Sequence, residues 1–140
     1  MKKHLYFGYG MNTNSYEMEY RCPAARSLGA AKLLNHEFRF ARHADVVESA
    51  LSDTDGVLWE ITDKCLHSLD RLEGYPTYYD RKLALVAHNG RMVEAVVYFM
   101  VGTPEISHPS KGYLEMLYEG YLEHGVSTKQ IEESLSILML

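Results

Sequence analysis

The sequence predicts an α+β fold, a small barrel or strongly curled sheet flanked by helices. Short runs rich in β-branched and aromatic residues fill the first two thirds of the chain, and apolar residues at helical spacing fill the last third. Turns separate the strand-like runs, without the long helical crossovers that a parallel sheet requires. The chain has 140 residues, 46% hydrophobic and 24% charged, enough for one core. It contains no repeat, low-complexity stretch or linker, so residues 1–140 are expected to form a single domain.

Residues 5–9 form a short aromatic run that reads as a strand, feeding a polar loop at Gly10-Met11-Asn12-Thr13-Asn14. Ser15 is a fair N-cap for a short helix to about Arg21, which Pro23 terminates. Residues 28–34 and 38–41 read as strands joined by a turn near Asn35-His36, with a further short strand around Val46-Val47 and Ala50-Leu51. Ser52 to Gly56 is a turn cluster, and Val57-Leu58-Trp59-Glu60-Ile61 follows as a strand of strong β-formers. Thr62 caps a helix that runs to about Glu73 and stops at Gly74 and Pro76. Residues 78–86 and 92–101 are strands joined by the hairpin turn His88-Asn89-Gly90. After a loop with Pro104 and Pro109, residues 111–124 form an amphipathic helix ended by Gly125. Ser127 caps a last helix with Ile131, Leu135 and Leu138 on one stripe.

The net charge of −5 argues against a nucleic-acid or membrane-surface partner, either of which favours a basic face. No apolar run approaches the roughly 20 residues that span a bilayer, and no signal-like stretch follows the two N-terminal lysines, so a cytoplasmic protein is expected. Cys22 and Cys65 are too few for a disulfide scaffold and are expected to be reduced thiols. The seven histidines show no His-x-x-x-His spacing, and there is no Cys-x-x-Cys, so no metal site is expected. There is no Gly-x-Ser-x-Gly elbow, and no histidine is placed beside Cys22 to act as its base. Tyrosine is in excess, 11 against 4 phenylalanines. An excess suits a polar-walled pocket, but composition alone favours a rim of half-buried surface tyrosines.

Three features carry candidate chemistry. Leu66 and Leu69 precede Glu73 by seven and four residues, so all three share one apolar helix face. A carboxylate held there, at a helix C-terminus, has its pKa raised by desolvation and by the helix dipole and can exchange protons near neutral pH. The plainer alternative leaves Glu73 at an exposed helix end or paired with Arg71 or Arg81. The second feature is Tyr6-Phe7-Gly8-Tyr9-Gly10-Met11-Asn12, where alternate glycines allow close backbone approach and a possible anion nest. It is neither a P-loop nor a dinucleotide fingerprint, and a tight turn packed under the next helix explains it equally well. The third is Tyr113, which could offer its hydroxyl to a ligand or simply face the core.

Together these segments resemble the γ-glutamylcyclotransferase, or AIG2-like, family over nearly the whole chain. Tyr6-Phe7-Gly8-Tyr9-Gly10-Met11-Asn12 is similar to the family's Tyr-Phe-x-Tyr-Gly-Ser-Asn, and Arg21-Cys22-Pro23 to its Arg-Cys-Pro. Gly56 to Thr62 matches the strand entering the catalytic helix. Leu69-Asp70-Arg71-Leu72-Glu73-Gly74 matches Leu-Asp-x-x-Glu-Gly, whose Glu is catalytic. Tyr79-Asp80-Arg81 and Pro109-Ser110-Lys111-Gly112-Tyr113 match the later Tyr-x-Arg and Pro-Ser-x-x-Tyr. The resemblance implies a small mixed β-barrel flanked by helices, no cofactor, and conversion of a γ-glutamyl amine or peptide to 5-oxoproline and a free amine. It implies Glu73 as proton shuttle, backbone groups of Tyr6, Phe7, Gly8, Tyr9, Gly10 and Met11 as the glutamyl cradle, and Tyr113 as a substrate contact. Met11 departs from the usual Ser: a backbone contact survives this change, whereas a hydroxyl contact does not. Two alternatives remain open, a non-catalytic binder of γ-glutamyl or other small carboxylate ligands, and an interaction protein using its C-terminal helix pair.

Overall fold

In the computed structural model, which describes residues 2–140, five strands close into a mixed barrel. They are β1 (Lys3–Gly8), β2 (Arg26–Leu33), β5 (Thr54–Thr62), β6 (Tyr79–His88) and β7 (Arg91–Met100), in the order β1-β5-β2-β6-β7. Every neighbouring pair is antiparallel except the closing one, where β7 meets β1 in parallel at Tyr6 and Val96. Strands β3 (His36–Ala41) and β4 (His43–Glu48) form a separate antiparallel ribbon. Four helices flank the sheets: α1 (Ser15–Arg21), α2 (Asp63–Glu73), α3 (Lys111–Glu123) and α4 (Lys129–Leu138). A 3-10 turn, Met11–Thr13, links β1 to α1. The expected class and architecture are therefore those the chain adopts.

Local chemistry explains the best-defined boundaries. Thr62 accepts a hydrogen bond from the Cys65 N–H at α2's start. Gly74 ends α2 in the left-handed region (φ 66°), and the Tyr75 N–H returns to the Asp70 carbonyl at 2.9 Å. Asn89 (φ 49°) and Gly90 (φ 77°) supply the two positive angles of a tight hairpin between β6 and β7. The buried core gathers Phe7, Leu33, Val57, Leu58, Ile61, Val86, Ala95 and Val97 from both faces of the barrel wall, and α2 adds Leu66 and Leu69 to it.

Several expectations require correction. The strand after residue 34 begins at His36 rather than Phe38: the chain turns at Leu34 and Asn35 and leaves the barrel to build the ribbon. Ala50 and Leu51 lie in a turn, while the strand around Val46-Val47 extends over His43–Glu48. Its buried Asp45 hid it from hydropathy; that carboxylate pairs with Arg39 at 3.0 Å and accepts from the Met100 N–H at 2.9 Å. Thr54, Asp55 and Gly56 belong to β5, where a Cβ on Gly56 would overlap the Gly8 carbonyl. Asn14, not Ser15, caps α1 by accepting from the Glu17 N–H at 3.2 Å. At α4 the N-cap is Thr128, whose side chain caps no backbone N–H and donates to Glu132 at 3.0 Å instead, and Ser127 accepts from the Lys129 N–H at 3.3 Å.

Candidate functional site

The last turn of α2 faces the loop leaving β1 across a cavity of about 190 Å³. Of the residues singled out from the sequence, Tyr6, Tyr9, Gly10, Met11, Glu73 and Tyr113 line it. Phe7 and Gly8 lie outside the lining. Phe7 is fully buried in the barrel core, and Gly8 lies under Asn12, where a Cβ would come 3.0 Å from the Asn12 carbonyl oxygen.

Glu73 is half-buried on the face it shares with buried Leu66 and Leu69. Its Oε1 accepts from Asn12 Nδ2 at 3.2 Å. Among the described residues it forms no ion pair; Arg81 holds Asp70 instead, at 2.9 and 3.3 Å. Burial pushes the Glu73 carboxyl up to about 7, against the opposing pull of the Arg21 guanidinium and the Asn12 amide. The group can thus gain and lose a proton near neutral pH.

The residues that support Glu73 come from other elements. Asn12 Nδ2 also donates to the Tyr6 hydroxyl at 2.9 Å, and Asn12 Oδ1 accepts from Arg21 at 2.9 Å. Arg21, at the end of α1, reaches Glu17 at 3.2 Å and the Met11 sulfur at 3.3 Å. Opposite, the Tyr113 hydroxyl accepts from the Ala44 N–H at 3.0 Å, and Tyr79 donates to the Ala44 carbonyl at 2.7 Å. The β3–β4 ribbon thereby closes one wall of the cavity with His43 and Ala44. His43 lies beside Tyr78 at 3.0 Å, and burial, helped by Arg42, lowers its pKa so that it stays neutral at pH 7.

Sequence reasoning missed Asn12, Arg21, His43, Ala44, Leu72, Tyr78, Tyr79 and Tyr98 as lining residues. Asn12, Arg21 and Tyr79 lay inside the quoted motifs, and the tyrosine excess pointed to the wall. Six of the 11 tyrosines line the cavity, so the surface-rim reading of that excess is overturned. Burial keeps Tyr6, Tyr9, Tyr79, Tyr98 and Tyr113 protonated, their pKa values lying above the usual tyrosine range. Cys22 and Cys65 are free and buried; burial pushes the Cys22 thiol up to about 12, which leaves little thiolate for chemistry. Among the described residues no group of three His, Cys, Asp or Glu gathers to hold a metal ion, and no helix is long and apolar enough to cross a membrane.

A cavity of this size, walled by neutral hydroxyls with one cation and one proton-exchanging carboxylate, suits a small polar ligand and a proton transfer. Comparison with known proteins points the same way. The family model described as "Gamma-glutamyl cyclotransferase, AIG2-like" matches residues 6–120. The human protein named "Gamma-glutamylcyclotransferase" is 24% identical over 147 residues, which cover 95% of this chain and 78% of that protein. A solved structure named "Gamma-glutamyl cyclotransferase" superposes with a TM-score of 0.84 at 24% identity, covering 95% of this chain and 86% of the other. An uncharacterized human protein superposes with a TM-score of 0.85 at 25% identity, covering 96% and 87%.

Proposed function

The chain belongs to the γ-glutamyl cyclotransferase, AIG2-like family, and from that premise we propose that its single domain converts a γ-glutamyl amine or peptide to 5-oxoproline and a free amine, with Glu73 as sole proton shuttle. One observation carries the reading: Glu73, with a carboxyl raised to about 7, lines the same cavity as Tyr9, Gly10 and Met11.

The substrate supplies its own nucleophile. Its α-ammonium must lose a proton before the nitrogen can attack the γ-carbonyl carbon, and the Glu73 carboxylate takes that proton. The new C–N bond closes a five-membered ring and leaves an oxyanion on the tetrahedral carbon. As the original amide C–N bond breaks, protonated Glu73 returns the proton to the leaving amine. The ring nitrogen, which still carries two hydrogens after its attack, gives one to the freed Glu73 carboxylate, which passes it to the departing amine. Thus 5-oxoproline leaves with one N–H, the amine leaves as an ammonium and the enzyme ends as it began. No side-chain nucleophile enters this sequence. The cradle of Tyr6, Tyr9, Gly10 and Met11 folds the glutamyl chain so that its nitrogen and carbonyl meet, and this positioning is a large share of the rate. Tyr113 contributes a hydroxyl to the same cradle across from Gly10, where a Cβ would come 2.8 Å from the Tyr113 oxygen.

A second reading, a non-catalytic binder of γ-glutamyl or other small carboxylate ligands, is favoured by Met11. Its sulfur engages Arg21 where the family usually has a hydroxyl. A panel of γ-glutamyl amines and dipeptides, assayed for 5-oxoproline release beside Glu73→Gln, separates the two. Release by the wild type and its loss in a folded Glu73→Gln variant is the expected result. Binding without release from every panel member would replace the enzyme with the binder.

A further inference from the structure

Of the six tyrosine hydroxyls in the wall, Tyr78 meets His43 Nδ1 at 3.0 Å in a bond whose direction follows the imidazole tautomer, and the protons of the other five divide into two groups. A tyrosine has one proton to donate. Tyr9 donates to the Tyr98 carbonyl at 2.7 Å, Tyr79 to the Ala44 carbonyl at 2.7 Å, and Tyr98 to Asp70 at 2.6 Å. These three are committed to holding the wall together. Tyr6 and Tyr113 only accept: Tyr6 from Asn12 Nδ2 at 2.9 Å and Tyr113 from the Ala44 N–H at 3.0 Å. Their own protons have no protein acceptor among the described residues. Tyr113 is already placed at the cradle; Tyr6, which is 3% exposed, lines the cavity together with Glu73.

The direction of the Tyr6 bond follows from chemistry. Arg21 is a donor without acceptor capacity, so the Asn12 atom 2.9 Å from it must be the oxygen. The Asn12 NH₂ therefore faces Tyr6 and Glu73, and its two hydrogens serve the two acceptors. With its oxygen accepting from Asn12, the Tyr6 hydroxyl must send its proton elsewhere, and the cavity that Tyr6 lines is where a ligand acceptor can meet it. Burial, reinforced by the neighbouring Glu73 carboxylate, keeps that proton on Tyr6 throughout the accessible pH range.

We infer that Tyr6 is a second catalytic residue, its hydroxyl donating a hydrogen bond to the γ-carbonyl oxygen as that oxygen becomes negative, and that Arg21 and Asn12 are positioning residues that aim this bond. The inference rests on the cyclotransferase reading above. Its geometric basis is that Tyr6 and Glu73 share one amide nitrogen as partner. The substrate nitrogen that gives its proton to Glu73 bonds to the same carbon that carries the oxyanion, so the oxyanion donor has to stand beside the base. Tyr6 is the hydroxyl in that place. No proton leaves Tyr6 in the step; a donor aimed in advance at developing charge is enough.

The test is Tyr6→Phe, which keeps the ring and removes the donor, with Arg21→Met and Arg21→Lys beside it. Each variant is checked for folding by thermal melting. Tyr6→Phe is expected to lower kcat about 100-fold with KM within about threefold of wild type. It is also expected to weaken binding of 5-oxoproline, whose ring carbonyl descends from the γ-carbonyl, by about fivefold. The kcat–pH profile should keep its inflection, because Glu73 remains. Arg21→Met should lower kcat about tenfold, and Arg21→Lys, still a donor-only cation, should recover part of that loss. A folded Tyr6→Phe variant with wild-type kcat and wild-type 5-oxoproline affinity would overturn the inference while the cyclotransferase reading stood. A wild type that releases no 5-oxoproline would overturn the inference together with the reading on which it rests.

Discussion

Two carboxylates one turn apart on α2 meet opposite fates. Asp70 is clasped by Arg81 at 2.9 and 3.3 Å and by the Tyr98 hydroxyl at 2.6 Å, and Arg81 in turn lies over the Tyr75 ring at 4.5 Å. Glu73 receives one amide hydrogen bond, at 3.2 Å. The first is a charge fully matched by the protein and fastens the helix end to β6 and β7. The second is left short of partners, so burial raises its pKa to about 7. Keeping Glu73 out of an ion pair leaves it able to exchange a proton near neutral pH, and pairing Asp70 with Arg81 anchors the helix end that carries Glu73.

The contrast can be broken by exchanging what each residue loses. Glu73→Gln should lower 5-oxoproline release by about 10³-fold with the fold intact, the usual scale for removing a general acid/base, measured as kcat on the best panel substrate. Asp70→Ala should leave Arg81 and Tyr98 without their acceptor and lower stability by about 2–3 kcal/mol, read as a shift in the urea midpoint. An Asp70→Ala variant as stable as wild type would remove the distinction between the two acids.

The comparison also has a pH signature. The folded chain retains the Glu73 proton between the ordinary 4.5 and about 7, where the unfolded chain has lost it. Ionised Glu73 therefore costs stability above pH 7, and the cost fades as the pH falls through 7 toward 4.5. Glu73→Gln should be more stable than wild type by on the order of 2 kcal/mol above pH 7, with the advantage gone below pH 4.5, in paired denaturation curves. Activity has the opposite requirement: kcat/KM should rise with pH through about 7 as the base form appears. The smallest expected effect belongs to the cradle. Gly10→Ala would place a Cβ 2.8 Å from the Tyr113 hydroxyl and 3.1 Å from the Ala44 side chain, so KM should rise by about three- to tenfold with little change in kcat.

How much of this was legible in the sequence depended on how local the signal was. Thr62, Gly74 and Asn89-Gly90 act on their own neighbours, so the limits of α2 and the β6–β7 hairpin could be read directly. Glu73 was also legible, because seven- and four-residue spacings report a helix face. The strands of the β3–β4 ribbon were legible in part, at 38–41 and Val46-Val47, but the first half of β4 was not, since Asp45 is buried there with Arg39 and the Met100 N–H as partners, which no local pattern records. The Arg21–Asn12–Tyr6 chain escaped for the same reason. Each residue lay in a recognisable motif, but the direction in which protons point depends on contacts between β1, the turn after it and α1.

The parallel seam of the barrel has its one registered pair at Tyr6 and Val96. The same Tyr6 carries its hydroxyl into the cavity wall. Closing the cylinder thus also sets where that hydroxyl stands, so a shift of register at the seam would move a cavity wall as well as a strand.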